Sequence, residues 1–269
     1  MSRYRTEASG SSLKRQFAWL CLALFCILMT LVIFAPAAWL GVLLEHETDG
    51  RFALGDVQGS VWNGSAFIGV AATKNGDVTP LLPGRFVWHL SPILLLGQID
   101  LGLENSASLR SPVSIAGNFR RVQISPSGLI LPSERLSGLG SPLNTVRPSG
   151  EITLSWDELE MSLLNQQLDI NGTMKLTMQQ IASALSPIKP LGSYLMTFVW
   201  HGQTADIALK TLQGPLMLSG AGALVQGKLQ FSGSAQAENG QEDKLANLLN
   251  LLGQRRPGAD KNVIALEFK

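Results

Sequence analysis

Reactive side chains are scarce in this 269-residue sequence, and each shortage removes a class of function. The two cysteines, Cys21 and Cys26, both fall inside one apolar run. The rest of the chain can therefore form neither a disulfide nor a thiolate metal site, and must be stabilised by an apolar core. The three histidines, His46, His89 and His201, are too few and too scattered for a H-E-x-x-H zinc site. His89 and His201 each follow a tryptophan, a spacing that in a strand turns the Trp inward and the His to solvent. No G-x-S-x-G elbow supplies a nucleophile. Gly220-Ala-Gly222 misses the dinucleotide spacing and reads as a bulge or close backbone contact inside a strand. Asp157, Glu158 and Glu160 read as a solvated face or turn, since no apolar pocket around them would lift one pKa for acid–base work. The sequence predicts no enzyme, and no catalytic, cofactor-binding or metal-binding residues.

Charge is sparse as well. Only 15% of residues are Asp, Glu, Lys or Arg, and from Glu45 onward 17 basic residues stand against 19 acidic ones. Such a balance gives no basic face to draw in nucleic acid by counterion release. Low charge together with 27 glycines favours many short strands and turns over long solvated helices.

What the sequence does have is one long apolar run, Phe17 to Leu44, with no charged residue over 28 positions. The stretch from Phe17 to Ala35 alone would rise roughly 28 Å as a helix, about one hydrocarbon core. The run is longer than the apolar region of a cleaved signal peptide and continues past the weak cleavage pattern Ala35-Pro36-Ala37-Ala38, so it reads as a retained anchor. Lys14-Arg15 precede it and Glu45, Glu47 and Asp49 follow it, which places the N-terminus in the cytoplasm. The expected division is residues 1–16 as a cytoplasmic tail, 17–44 as a transmembrane anchor and 45–269 as an exported β-rich domain. The Ser-, Pro- and Gly-rich region 126–148 is the candidate connection between two halves of that domain.

The exported part reads as mainly β: a repeated antiparallel meander forming a curved or sandwich-like sheet. Gly55-Asp-Val-Gln-Gly-Ser-Val-Trp-Asn-Gly64 offers pleated-surface residues and an Asn-Gly pair suited to a type I′ turn, which predicts a hairpin rather than a phosphate loop. Asn-Gly recurs at 75–76, 171–172 and 239–240, and at least two of the four pairs are expected to be hairpin turns. Phe86-Val-Trp88, Leu154-Ser-Trp156 and Phe198-Val-Trp200 each follow a glycine and lead into alternating apolar residues, a weak internal repeat. Trp62, Trp88, Trp156 and Trp200 are the candidate core or partner-binding anchors. A meander is predicted through Tyr194–His201, Ala205–Thr211, Pro215–Ala223 and Leu224–Ala237, with breaks at Gly202-Gln203, Gln213-Gly214 and the Gly220/Gly222 region. A short amphipathic helix follows over Gln241–Leu252, capped by Asn239 with Glu242 as its box partner and ended by Gly253, and Val263–Phe268 is a final strand. Met178–Leu185 reads as a second short helix. Trp156–Leu164 fits either a helix or a strand, and its neighbours favour the strand.

These features together resemble the type II secretion system protein N family of Gram-negative bacteria. The resemblance is carried by the single N-terminal span, Val57-Gln-Gly-Ser-Val-Trp-Asn-Gly64, Trp88 with Ser91-Pro-Ile-Leu-Leu-Leu-Gly97, and Pro190-Leu-Gly-Ser-Tyr194. Leu212-Gln-Gly-Pro-Leu-Met-Leu-Ser-Gly-Ala-Gly222 and the closing Leu-rich helix complete it. It implies a non-enzymatic, single-pass inner-membrane accessory of the machine that moves folded proteins from the periplasm across the outer membrane. Its implied partners are the other bitopic inner-membrane components and, beyond them, the outer-membrane secretin, and it leaves room for self-association. Repeated amphipathic strands behind one anchor also resemble periplasmic β-groove proteins of the AsmA type, which would bind or conduct lipid along an uncovered apolar face. The position of the Leu245–Leu252 helix separates the two: over the sheet it closes a core, away from it it leaves a groove.

Overall fold

The computed structural model describes residues 10–71, 76, 78–139, 147–164, 167–225, 227–252, 254–255 and 263–268. The long apolar run divides into two elements at Pro36, whose ring and missing N–H end a helix. Helix α1 (Gly10–Ile33) is apolar and long enough over Arg15–Ile33 to cross a membrane, and none of that stretch is buried by the rest of the chain. Helix α2 (Ala38–Glu47) instead folds back onto the protein, with Gly41 buried. Within it Leu40 packs against the sheet, while Trp39, Val42 and Leu43 are exposed.

A single antiparallel sheet of 17 strands makes up most of the remainder. Strands β1 (Phe52–Gly59), β2 (Asn63–Ala71), β3 (Val78–Pro80), β4 (Phe86–Leu90), β5 (Gln98–Glu104), β6 (Val113–Asn118), β7 (Arg121–Ile124) and β8 (Ser127–Pro132) come first. They are followed by β9 (Pro148–Trp156), β10 (Leu159–Leu164), β11 (Gln167–Ser183), β12 (Gly192–Gly202), β13 (Thr204–Gln213), β14 (Leu216–Val225) and β15 (Lys228–Ala237). Helix α3 (Glu242–Leu252) precedes the last two, β16 (Gln254–Arg255) and β17 (Val263–Phe268). Strands pair in chain order, so the sheet is an up-and-down meander. Some of its rows are broken strands. β9 and β10 lie end to end along one side of the 17-residue β11, while β8 and β7 pair with β9 and β10 in turn. The region 126–148 therefore contains β8 and the start of β9, which pair with each other, and residues 140–146 lie outside the described residues.

Directly opposed residues of an antiparallel ladder point to the same side, so register identifies the faces. One row runs Leu129, Leu154, Leu176, Met196 and Leu209 across five strands. A second runs Leu101, Ile115, Ile124 and Leu159. A third runs Trp200, Ala205, Leu224 and Leu229. The alternate row Ser155, Lys175, Thr197, Ala208, Ala221 and Ser232 faces the other way. One face of the meander is therefore apolar across its width and the other is small and polar.

Both helices lie on the apolar face, one at each end. At the N-terminal end Ala37 and Leu40 pack with Leu54, Val57, Ala66, Trp88, Leu101 and Leu103. At the C-terminal end Leu245, Leu248 and Leu249 of α3 are buried with Tyr194, Ile207, Leu209, Leu216, Phe231, Ile264 and Leu266. Over the central strands Ile115, Val122, Ile124, Met161, Ile170, Met174 and Leu176 remain partly exposed.

Several sequence expectations need correction. The first hairpin forms, but Val61-Trp62 is its loop and Asn63-Gly64 opens β2: Ser60 N–H donates to Asn63 O at 2.8 Å and Gly59 pairs with Gly64. Asn171-Gly172 lies inside β11, at φ +131° for Gly172, where a Cβ would fall 2.7 Å from Leu159 Cδ2. Asn239-Gly240 turns the chain into α3 rather than forming a hairpin. Asn75 lies outside the described residues. The helix is met by Glu242 reaching back to the Gly240 amide (2.8 Å), not by an Asn239 cap, and Gly253 lies outside the described residues. Met178–Ser183 continues strand β11. Gly220 and Gly222 lie inside β14, and the break comes after Val225, which pairs with Lys228.

Candidate functional site

The junction of α1, α2 and the first hairpin is built by the sheet gripping the end of the apolar helix. Ala37 N–H donates to Gly59 O (3.1 Å) and Val61 N–H to Ala35 O (2.9 Å), and Pro36 forms a β-bridge with Ser60. The Trp62 indole N–H donates to Val32 O in the last turn of α1 at 2.8 Å. Trp88, buried behind the hairpin, donates its own indole N–H to Val61 O at 3.0 Å. Gly64 makes room for that ring, since a Cβ there would lie 2.4 Å from Trp88 Cζ2. Two indoles thus link β4 to the hairpin loop and the hairpin loop to the helix. A buried indole N–H needs an acceptor, so each bond fixes a ring orientation as well as a contact. On the opposite side Asp56, in a positive-φ position at the β1 bulge, pairs with Arg85, which also bonds Ser65 Oγ at 3.0 Å and lies over the Phe67 ring.

The other two tryptophans stand elsewhere on the same sheet. Trp156 ends β9 and donates to Ser125 O at 2.9 Å, holding the break between β7 and β8. Trp200 lies opposite Ala205, and its Nε1 is buried without a hydrogen-bond partner. Beside it, Gln167, Leu168, Gln203 and Leu224 help line an open cleft of about 550 Å³. The structure brings Trp62 and Trp88 together and leaves Trp156 and Trp200 in separate surroundings. His89 and His201 point to solvent beside their inward tryptophans.

Among the described residues no group of three or more His, Cys, Asp or Glu could hold a metal ion. Tyr194 is the one described side chain whose titration is clearly displaced. Burial pushes its phenol well above the ordinary tyrosine range, and its hydroxyl donates to Leu216 O at 3.0 Å. Both facts suit a packed core. The grip on α1 was not read from the sequence; Pro36 in the middle of the apolar run was the available signal, since it keeps Ala35, Pro36 and Ala37 out of a helix and leaves them to pair with the hairpin.

Residues 51–261 match the family model described as Type II secretion system (T2SS), protein N. No curated protein and no solved structure matches the chain.

Proposed function

The chain belongs to the type II secretion system protein N family, and from that premise we propose that it acts as a non-enzymatic inner-membrane accessory of the secretion machine. In this reading α1 crosses the inner membrane with residues 1–16 in the cytoplasm, and the sheet stands in the periplasm and binds other bitopic secretion subunits, with the outer-membrane secretin as a further partner. The observation that carries it is the direct bonding of the sheet to the end of an apolar helix, Trp62 to Val32 and Val61 to Ala35, which makes the domain a rigid extension of its anchor. A freely tethered domain would need no such contact. At the end of the sheet β16 pairs with Ile264 and Ala265 of β17, so strand addition there would use the part of the β17 edge beyond that pairing, a mode in which proline is more damaging than alanine. Strand β15, between β14 and β17, is interior. A pull-down of the full-length protein from membranes tests the reading: the other secretion subunits should be retained by the wild type and by alanine variants of β17, and lost on proline substitution at its outer edge.

A second reading is favoured by the central strands. α3 closes a core over β12–β17 and α2 over β1–β5; between them the 3-10 segment Ser133–Leu139 packs against β8 and β9 and buries Ile152, while Ile115, Ile124, Met161, Met174 and Leu176 form a partly uncovered stretch of the apolar face. That uncovered stretch is what an acyl chain would occupy. Mass spectrometry of the purified full-length protein discriminates: copurified phospholipid without secretion subunits favours the trough, and secretion subunits without lipid favour the scaffold.

A further inference from the structure

We infer that the strand tips nearest α1 form a lipid-contacting rim, so that the sheet rests on the surface of the membrane its anchor crosses. This rests on the reading of α1 as a membrane anchor and adds to it a second, peripheral contact. In an up-and-down meander alternate turns lie at the same end. β1, β4, β6, β10, β12 and β14 all run toward the end at which Val61-Trp62 meets α1. Exposed apolar residues are concentrated at this end: Leu95 (59%) and Leu96 (83%) between β4 and β5, Phe119 (60%) between β6 and β7, and the cross-strand pair Leu163 and Leu168 (both 52%) between β10 and β11, against the isolated Val78 and Leu212 at the other end.

These tips form one connected strip that begins at the anchor. Leu90 N–H donates to Trp62 O at 2.7 Å, and Leu90 leads directly into the 3-10 turn Pro92–Leu96. Gly97 closes that turn at φ +84°, and a Cβ there would stand 3.9 Å from the Phe119 ring. Leu163 N–H donates to Arg120 O at 2.8 Å, which joins the second tip to the third. Gln203 Nε2 donates to Gln167 Oε1 at 2.7 Å, carrying the strip on to the β12–β13 turn. A contiguous apolar strip of this kind is unfavourable in water unless something covers it.

Two observations identify the cover as a bilayer. The first is continuity: the strip starts at the residue bonded to the last turn of the membrane helix, the level at which the chain leaves the hydrocarbon, where tryptophan sits well. The second is charge. The described turns at this end carry exposed Arg120, with Lys228 opening β15 just after the last of them, and no carboxylate, whereas the opposite end carries both signs, Glu134, Glu238 and Asp243 beside Arg51, Arg135, Lys189 and Lys244. Basic side chains beside exposed Leu and Phe suit an anionic lipid surface.

The test uses the full-length protein in vesicles of phosphatidylethanolamine and phosphatidylglycerol. With Cys21→Ser and Cys26→Ser as background, single substitutions Leu96→Cys, Phe119→Cys, Leu212→Cys and Leu24→Cys each carry an environment-sensitive fluorophore. Lipids bearing a nitroxide on the acyl chain act as quenchers. All four positions are exposed, so the fold tolerates the label. The expected result is strong quenching at Leu24, quenching at Leu96 and Phe119 at least about twofold greater than at Leu212, and blue-shifted emission at the two rim positions. Quenching at Leu24 with Leu96 and Phe119 no different from Leu212 overturns the rim while leaving the anchor intact. Absence of quenching at Leu24 overturns the anchor reading itself, and the rim with it.

Discussion

The indole of Trp62 and the carbonyl of Val32 lie 30 residues apart in sequence and 2.8 Å apart in space, and that bond joins the apolar helix to the first hairpin of the sheet. Trp62→Phe keeps the ring and removes the donor. The expected cost is about 1 kcal/mol, the net worth of one hydrogen bond, with faster amide exchange at Val61 and no change elsewhere in the sheet. Denaturant titration and hydrogen exchange of the full-length protein in detergent read both. Unaltered exchange at Val61 would show that the indole does not hold the hairpin to the helix.

Phe231 lies in a slot made by Gly220 and Gly233. A Cβ on Gly220 would fall 2.4 Å from Phe231 Cζ, whereas one on Gly222 would fall 2.2 Å from Gln230 O. The first obstacle is mainly a side chain and the second is backbone. Gly220→Ala and Gly222→Ala should each destabilise by about 1–3 kcal/mol, and adding Phe231→Leu should recover part of the loss for Gly220 and none for Gly222. Equal rescue of both, read by thermal unfolding, would contradict the packing described.

Tyr194 makes stability fall at alkaline pH. Its buried phenol ionises well above the ordinary value of 10.0, so in the unfolded chain it ionises first. The contribution is fully present below pH 10.0 and is lost progressively as pH rises from there toward the folded-state value. Tyr194→Phe should cost about 1 kcal/mol at neutral pH, through the lost bond to Leu216 O, and should flatten the alkaline part of the curve relative to wild type. Parallel curves for the two proteins above pH 10.0 would exclude this role.

Elements that reach their partner through nearby residues were legible in the sequence. β17 has the predicted bounds Val263–Phe268, Gly202-Gln203 forms the predicted turn, and α3 begins one residue after the predicted start. Bulges defeated the rest. Met178 and Ile181 are three apart, a helical spacing, yet both face the core of a strand, because the register shifts between them and Gln180 takes φ +49°. An inserted residue changes the phase of the alternation and imitates a helix. Asn171-Gly172 failed as a turn because Gly172 is needed for the close approach of Leu159, a residue whose position only the folded sheet reveals. At the candidate site, Trp62 and Trp88 stood out as aromatic anchors in the sequence, but their meeting through Val61 depended on β4 pairing beside the hairpin. The bond to Val32 depended on a helix ending at Ile33 and could not be read locally.

The role in secretion is tested most directly by deleting the chain from a cell that secretes through a type II machine and following one folded substrate through cytoplasm, periplasm and medium. The account predicts that the substrate crosses the inner membrane and folds, accumulates in the periplasm, and appears in the medium at a reduced level that the full-length chain restores. Release at the wild-type level, or arrest of the substrate in the cytoplasm, would contradict it.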